Sequence, residues 1–338
     1  MLAGGGETCS DVELLKVSPA LFGDVPSDTT VSRTITEITS EDRVGIANGI
    51  AGLRERVWTE TGAGSAGPVV LDIDASLIEI HSENKEQTAP TFKGGYGFHP
   101  MFCFADATGE CLSAVLRPGN AGSNSVTDHI TVLDAAIKQL PAAIAAGHAK
   151  NDAPELAARN VVVRADSAGC TQGFLAACRE RNIGFYVTAR SNDGVSEAIS
   201  DSIGVDAWIP AVGRDGKPRT DDAAVCELTS LIDDDKLPSG TRLIVRREPL
   251  NPGAQRSLFP SMDYRYWGFY TDQQGTPTEL DSTMRAHAHV EQHIARLQDS
   301  GLCRFPFRDF DANQAWLQTV ALAADLVRWF QLVCLPDT

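Results

Sequence analysis

The chain has 338 residues, of which 43% are hydrophobic and 22% are charged. This composition is typical of a globular protein with a sizeable core, and it excludes wholesale disorder, a collagen-like repeat and a small disulfide-stapled fold. The 45 acidic residues outnumber the 29 Lys and Arg residues, which gives a formal net charge of −16. Because proteins that bind nucleic acid through its phosphates usually carry a basic surface, charge alone argues against DNA as a partner.

The length exceeds what one simple core usually fills, so we expect one large domain with an insertion or two domains. Eight cysteines occur without a CxxC pair, which favours reduced intracellular thiols over a zinc ribbon or disulfides. The late apolar stretch from Trp316 to Cys334 is interrupted by polar residues, so it reads as a core helix and not as a membrane span. With no basic and apolar leader at the start, we expect a cytoplasmic, nucleoid-associated protein that does not bind membranes.

Along the chain, residues 1–68 read as short helical pieces followed by a linker. Glu41 to Trp58 has helix-like apolar spacing, and Gly62 to Pro68 is a run of small residues. Strands are then expected at 69–74, 97–105, 111–116, 160–166 and 184–189, with helices at 127–140 and 173–181. This order of strands and helices predicts a mixed α/β sheet.

From Ser191 to Asp272 short β-like runs alternate with turns rich in Gly, Pro and Asp, which predicts an all-β insertion. Helical periodicity returns at 283–297 and 312–333. We therefore divide the chain into a helical N-terminal part (1–68), a first core part (69–190), the insertion (191–272) and a second core part (273–338).

Four carboxylates stand at positions where a metal site could form. Asp72 and Asp74 end the first strand, Asp166 ends the strand at 160–166, and Glu291 lies in a late helix. Carboxylates that converge at a sheet edge suit hard divalent cations, which can assist phosphoryl transfer. Acids at strand ends are also common as turn and capping residues, so the spacing alone leaves both readings open.

Longer strings of sequence are more specific than these spacings. From near residue 1 to about residue 335, ordered motifs resemble those of insertion-sequence DDE transposases, namely LDIDASLI at 71–78, PTFKGGYGFHP at 90–100, RPGNAGSN at 117–124, RADSAG at 164–169 and AHAHVE at 286–291. The resemblance implies an RNase H-like mixed sheet flanked by helices and interrupted by a β-rich insertion. It also implies that the chain acts on DNA.

In that family an Asp on the first strand, an Asp after the fourth strand and a Glu on a late helix hold two Mg²⁺ ions, for which Mn²⁺ can substitute. These acids correspond to Asp74, Asp166 and Glu291, with Asp72 as a supporting neighbour. The implied reaction is metal-dependent cleavage at the terminal inverted repeats of the element, followed by attack of the freed 3′-hydroxyl on target DNA. The protein is expected to act as a homodimer in its DNA complex.

Six further residues are candidates for DNA contact, each with an ordinary alternative as a turn, surface or salt-bridge residue. They are Lys93, Arg117, Asn120, Arg190, His287 and Gln298. Gln298 stands where the family usually has a Lys that binds a DNA phosphate. Relatives usually begin upstream of Met1 and extend into a basic tail, so the resemblance implies a truncated copy.

Two alternatives follow from these departures and from the carboxylates. The first alternative to a transposase is a catalytically impaired remnant that binds DNA without cutting. The second is an RNase H-like nuclease that uses the same acids on other nucleic acid. A zinc site at His287, His289 and His293 is a weaker idea, because the HxExH spacing differs from HExxH. The charge is uneven, since residues 240–338 carry ten Arg against eleven acids. We therefore expect weak DNA binding that needs low salt.

Overall fold

The computed structural model describes residues 1–157, 160–190, 193–202, 207–213, 215–232, 237–250 and 264–335. The N-terminal part is helical, as the spacing predicts, and its longest helix is capped at both ends. Thr39 and Asp42 form a capping box at its start, and Gly62 ends it in the left-handed conformation with φ of 70°. The helices are α1 (Pro19–Phe22), α2 (Asp28–Glu37) and α3 (Ser40–Thr61), preceded by 3-10 helices at Leu2–Gly4 and Cys9–Val17.

The first core part follows the predicted order of strands and helices, except that the strand expected at 97–105 is divided into Tyr96–Phe98 and Met101–Ala105, which belong to different sheets. Its elements are β1 (Val69–Ala75), β2 (Ile78–Glu79), β3 (Ala89–Pro90), β4 (Tyr96–Phe98), β5 (Met101–Ala105), β6 (Glu110–Val115), α4 (Val126–Ile137), α5 (Ala142–Ala145), a 3-10 turn (Pro154–Leu156), β7 (Val161–Ala165), α6 (Gln172–Arg179) and β8 (Ile183–Thr188). The β-branched and apolar residues of β1 and β7 suit strands that are buried on both faces.

The rest of the chain contributes four more strands and the late helices. These are α7 (Asp193–Asp201), β9 (Ile209–Pro210), β10 (Ala224–Glu227), a 3-10 turn (Thr229–Leu231), β11 (Arg242–Pro249), β12 (Tyr264–Thr271), α8 (Pro277–Arg285), a 3-10 turn (Ala286–Ala288), α9 (His289–Leu297), a π-helical turn (Gln298–Leu302) and α10 (Phe310–Cys334). The helix expected at 283–297 is thus two helices joined by a tight turn. The first of these helices also begins earlier than expected, because Thr276 and Glu279 form a capping box there and Pro277 occupies the first helical position.

Nine of the described strands form one sheet in the order β6-β5-β1-β7-β8-β12-β11-β10-β9. β5 and β6 are antiparallel to β1 and to each other, whereas β7 and β8 run parallel to β1. Helices cover both faces of this sheet. The prediction of a mixed α/β sheet flanked by helices is confirmed.

The predicted insertion differs from an all-β unit in two ways. It contains helix α7, and its strands continue the main sheet, because β12 pairs with β8 through Phe269 and Thr188. Backbone pairing at an open sheet edge accounts for this, since β8 would otherwise present unpaired amide and carbonyl groups. Residues 191–192, where we placed the boundary, lie outside the described residues, and the four-part division of the chain stays a prediction.

The alternation of side chains along each strand creates two different sheet faces. Leu71 and Ile73 of β1 point into a cluster formed with α4 and α6, while Phe102 and Phe104 of β5 point toward α9 and α10. Asp72 and Asp74 share the second face with these phenylalanines, because Asp72 pairs with Phe104 and Asp74 with Phe102. The face covered by α9 and α10 therefore carries the candidate carboxylates.

Helix α10 is long and apolar enough to meet the length and composition test for a membrane span, and 39% of the tested window is buried inside the protein. Trp316, Leu317 and Val320 are fully buried and belong to the cluster that contains Phe102 and Phe104. These contacts agree with the predicted core helix.

A buried polar network joins α3 to the sheet and to α10. The Arg54 guanidinium donates to Glu110 at 2.9 Å and to Asp325 at 2.6 Å. The Glu110 carboxylate also accepts from the indoles of Trp58 and Trp329, each at 2.6 Å. Because one cation faces two buried acids, burial and the Glu110 charge raise the pKa of Asp325 to about 7, although Arg54 acts to lower it.

Candidate active site

Strand register brings Asp74 and Asp166 to the same end of the sheet. β1 and β7 are parallel, and their last registered pair is Ile73 with Ala165. Asp74 and Asp166 therefore stand one residue beyond that pair on neighbouring strands, which lie about 4.8 Å apart. Asp74 is half-buried and Asp166 is exposed. The sheet edge thus offers two adjacent carboxylates at an open position.

Glu291 approaches from helix α9, which packs against β1. Val290 and Ile294 of this helix are buried in the core, whereas Glu291 itself is exposed. Burial raises the pKa of Asp74 to about 6, and the charges of Asp166 and Glu291 add to that rise, while the Ala75 amide and His287 oppose it. Asp166 and Glu291 therefore both lie within electrostatic range of Asp74, and the catalytic roles of the three acids stay a prediction.

The chemistry of these donors fits a divalent cation. Among the described residues, the Asp74 carboxylate accepts a hydrogen bond only from the Ala75 amide, at 2.7 Å. The Asp166 carboxylate accepts one only from the Ala168 amide, at 2.9 Å. No Lys, Arg or His of the described chain forms an ion pair with Asp74, Asp166 or Glu291. Converging carboxylates without a cation are the oxygen donors that Mg²⁺ prefers. Within the described residues, however, no three Asp, Glu, His or Cys side chains are close enough to share one ion.

Asp72 occupies the same sheet face but is fully buried and paired. Arg164, its neighbour on β7, donates to both Asp72 oxygens at 2.8 and 2.6 Å, and His287 Nδ1 lies 2.7 Å from Asp72 Oδ1. Burial acts to raise the pKa of Asp72, but the hydrogen bonds from His287 and Arg164 outweigh it and lower the pKa. Asp72 therefore stands beside the open carboxylates as an internal acceptor, which agrees with a supporting role.

Arg117 is placed differently from the other candidates for DNA contact. Its side chain is buried, and it donates to the carbonyl oxygens of His99 and Gly122 and to the Asp128 carboxylate. These bonds hold the loop at 117–122 together, so they account for the Arg as a structural residue and argue against a direct phosphate contact. The alternative of a turn residue is the better reading here.

The remaining candidates have different degrees of exposure. Lys93 and Asn120 are exposed in their loops, and Gln298 is exposed at the start of the π-helical turn after α9. Arg190 is half-buried, and its Nε donates to the carbonyl of Ser167, the residue after Asp166. Arg190 thus lies beside the loop that follows β7, and its role as a DNA contact stays a prediction, as do those of Lys93, Asn120 and Gln298.

The histidines near Glu291 do not gather around one point. His289 pairs with Asp106 at 3.0 Å and is exposed, so it fits the predicted solvated position. His293 is instead buried against Phe104, and burial, followed by the charge of Arg296, lowers its pKa to about 4. His293 is therefore a neutral core residue, because its helix face packs against the sheet.

An arginine and aromatic cluster near the same sheet end was missed by sequence reasoning. The guanidinium carbons of Arg246 and Arg265 both lie 5.2 Å from the centre of the Trp267 ring. Trp267 is 39% exposed. Pairing across the sheet aligns Tyr270 of β12 with Ile73 and Ala165, the last registered pair of β1 and β7. Trp267 lies three residues, about 10 Å, beyond Tyr270 in the direction in which β1 and β7 end. By strand alternation it shares the face of Phe269, which packs with Val162 of β7. The interleaved Tyr-Arg-Tyr-Trp at 264–267 was the available signal, but only the strand register reveals its position.

A family model identifies the family of this chain. The family model described as Transposase DDE domain group 1 matches residues 1–338. Among solved structures, a piggyBac transposase in a synaptic complex with hairpin DNA is 10% identical, with a TM-score of 0.42. That match covers 79% of this chain and 48% of the other, so the chain spans about half the length of that transposase. No curated protein sequence matches.

Proposed function

Because the chain belongs to the Transposase DDE domain group 1 family, we propose that it cuts DNA at the ends of a mobile element and joins the freed 3′ ends to target DNA. The single observation that carries this proposal is the placement of Asp74 and Asp166 on adjacent parallel strand ends, with Glu291 acting on Asp74 from α9. The resemblance seen in the sequence assigns the catalytic roles to these same three residues.

Members of this family use divalent metal ions, and we propose that Asp74, Asp166 and Glu291 would hold two Mg²⁺ ions here. Bound in this way, the ions would activate a water or 3′-hydroxyl and stabilise the leaving oxygen. The protein's own part is to keep Asp166 and Glu291 exposed to DNA while Asp74 is shielded. Burial is the main cause of the raised pKa of Asp74, and the charges of Asp166 and Glu291 add to it, so a cation held by these three carboxylates would offset their repulsion.

The DNA contacts are proposed from exposure and charge. Arg265 and Trp267 stand beyond the carboxylates on the same face, where the Arg265 guanidinium can meet a phosphate and the indole can stack on a base. Arg246 is largely buried and pairs with Glu248 and Asp281, so it supports the Trp267 ring from below. Lys93 and Arg190 supply further positive charge in loops. Against a net charge of −16, this arrangement favours DNA binding that is strong only at low salt, and we propose that a homodimer binds the two ends together.

The test is cleavage of labelled DNA ends, taken from the inverted repeats that flank the gene, in the presence of Mg²⁺ or Mn²⁺. We expect nicking by the unsubstituted protein, none by Asp166→Asn, and normal nicking by Asp24→Asn, which changes an exposed acid outside the candidate site. Cleavage that persists in Asp166→Asn at the wild-type rate would contradict the proposal. Equal cleavage of unrelated DNA would instead favour a general nuclease.

Gln298 favours a second candidate, which is a remnant that binds DNA without cutting. A Gln in place of the family's Lys keeps a hydrogen-bond donor and loses the positive charge that would hold a phosphate. Specific binding of the element ends with no nicking under Mn²⁺ would support this candidate. Recovery of nicking in Gln298→Lys would then identify the lost charge as the cause.

A further inference from the structure

We propose that Arg164 and His287 are positioning residues that hold the Glu291 helix over the strand ends through the buried carboxylate of Asp72. This inference rests on the proposed function, because it explains how the third carboxylate is brought to the other two. It also gives His287 a role different from DNA contact and identifies Arg164, which the sequence did not single out.

The first step is the completeness of pairing at Asp72. The Asp72 and Arg164 side chains are 0% and 1% exposed, so neither charge is stabilised by solvent. Arg164 uses its planar fork on both Asp72 oxygens, and His287 adds a contact of 2.7 Å to Oδ1. A bidentate pair fixes distance and orientation together, which a Lys at this position could not do.

The second step is that the same guanidinium reaches the helical layer. Arg164 Nη1 donates to the carbonyl of Thr283 in α8 at 2.7 Å, and Nη2 lies 3.0 Å from Asp106 after β5. One buried side chain on β7 therefore joins β1, the β5 loop and the end of α8. His289 also reaches Asp106, so the turn between α8 and α9 is held to the sheet on both sides of His287.

The third step concerns the position of Glu291 relative to His287. The two residues are four positions apart, about one helical turn, so the side chain fixed at Asp72 precedes the carboxylate at the site by one turn. Val290 and Ile294 bury the apolar stripe of α9 and set its depth, but apolar contacts are non-directional. The His287 contact with Asp72 supplies the direction, and catalytic groups need placement to within about 0.5 Å.

Hydrogen exchange of the α9 amides tests this role without any metal. His287→Ala should increase the opening of α9 by about tenfold to hundredfold, the range expected for losing a hydrogen bond to a charged group. His287→Asn should keep near-normal protection, because the Asn amide nitrogen can occupy the position of His Nδ1. Gln292→Ala, at an exposed position of the same helix, is the matched control. Unchanged protection in His287→Ala, or equal loss in Ala and Asn variants, would overturn the proposal.

Mn²⁺ affinity in a double-mutant cycle separates positioning from general damage. His287→Ala and Arg164→Lys should each weaken Mn²⁺ binding, and the effect of His287→Ala should vanish in a Glu291→Gln background, where no third carboxylate remains to be positioned. Additive losses would overturn the assignment. If the unsubstituted protein binds no Mn²⁺, the proposed function fails, and the exchange experiment still decides whether His287 and Arg164 position the helix.

Discussion

Replacement of Arg54 by Ala removes the only cation from the network that attaches helix α3 to the sheet and to α10. The Glu110 and Asp325 side chains are 0% and 2% exposed, so water cannot replace the lost guanidinium. Gln139 also loses a donor, because Arg54 Nη1 lies 2.7 Å from its amide oxygen. The substitution leaves two buried carboxylates facing each other.

Breaking a buried ion pair in this way costs about 3–5 kcal/mol. Glu110 keeps two indole donors and Asp325 keeps the Cys111 amide at 2.7 Å, so we expect the lower end, about 3 kcal/mol. The folded-state pKa of Asp325 is already raised from 3.8 to about 7, so folding takes up a proton at this group and its contribution to stability falls as the pH rises through that window. Loss of Arg54 raises this pKa further, and the penalty should therefore be larger at pH 8 than at pH 6.

Urea unfolding followed by tryptophan fluorescence measures this change directly, because Trp58 and Trp329 belong to the network. Arg56→Ala is the matched control, since Arg56 is exposed on the same helix. Arg54→Lys keeps the charge, loses the fork and serves if the Ala variant does not fold. An Arg54→Ala protein that unfolds within about 1 kcal/mol of the Arg56→Ala protein at both pH values would refute this reasoning.

Three other outcomes are expected. Arg117→Gln should lower the Tm and leave the salt dependence of DNA binding unchanged, because this guanidinium contacts loop carbonyls and Asp128 and no phosphate; a shallower salt slope would restore the DNA-contact reading. Trp267→Ala should weaken single-stranded DNA binding by about 1–3 kcal/mol with an unchanged Tm, and equal affinity would exclude base stacking there. His293→Phe should reduce the loss of stability on acidification. The depressed pKa of about 4, against 6.5, means that His293 contributes stability above pH 6.5 that is lost as the pH falls toward 4, and parallel stability curves would contradict this.

Much of the catalytic core could be read from the sequence because local signals and global structure agree there. The apolar run at Val69 to Ile73 predicts β1, and the strands and helices up to β8 occur in the predicted order. The α8 to α9 region shows the limit of that approach. Continuous helical periodicity hides a 3-10 turn at Ala286–Ala288, because periodicity reports which residues are apolar and does not report a local change of helix type.

The sequence by itself determined the family, the mixed sheet and the three carboxylates expected to act together, because ordered motifs and strand-end acids are local properties of the chain. Only the tertiary structure decided which polar residues are free and which are paired. Arg117 and His287 look alike in the sequence as polar residues in loops or helix starts, yet one closes a loop and the other reaches a carboxylate 215 residues away. The partner of Arg54, Asp325, is 271 residues away, and the partner of Arg164, Asp72, is 92 residues away. Pairing across such distances depends on strand register and helix packing, which no local pattern encodes.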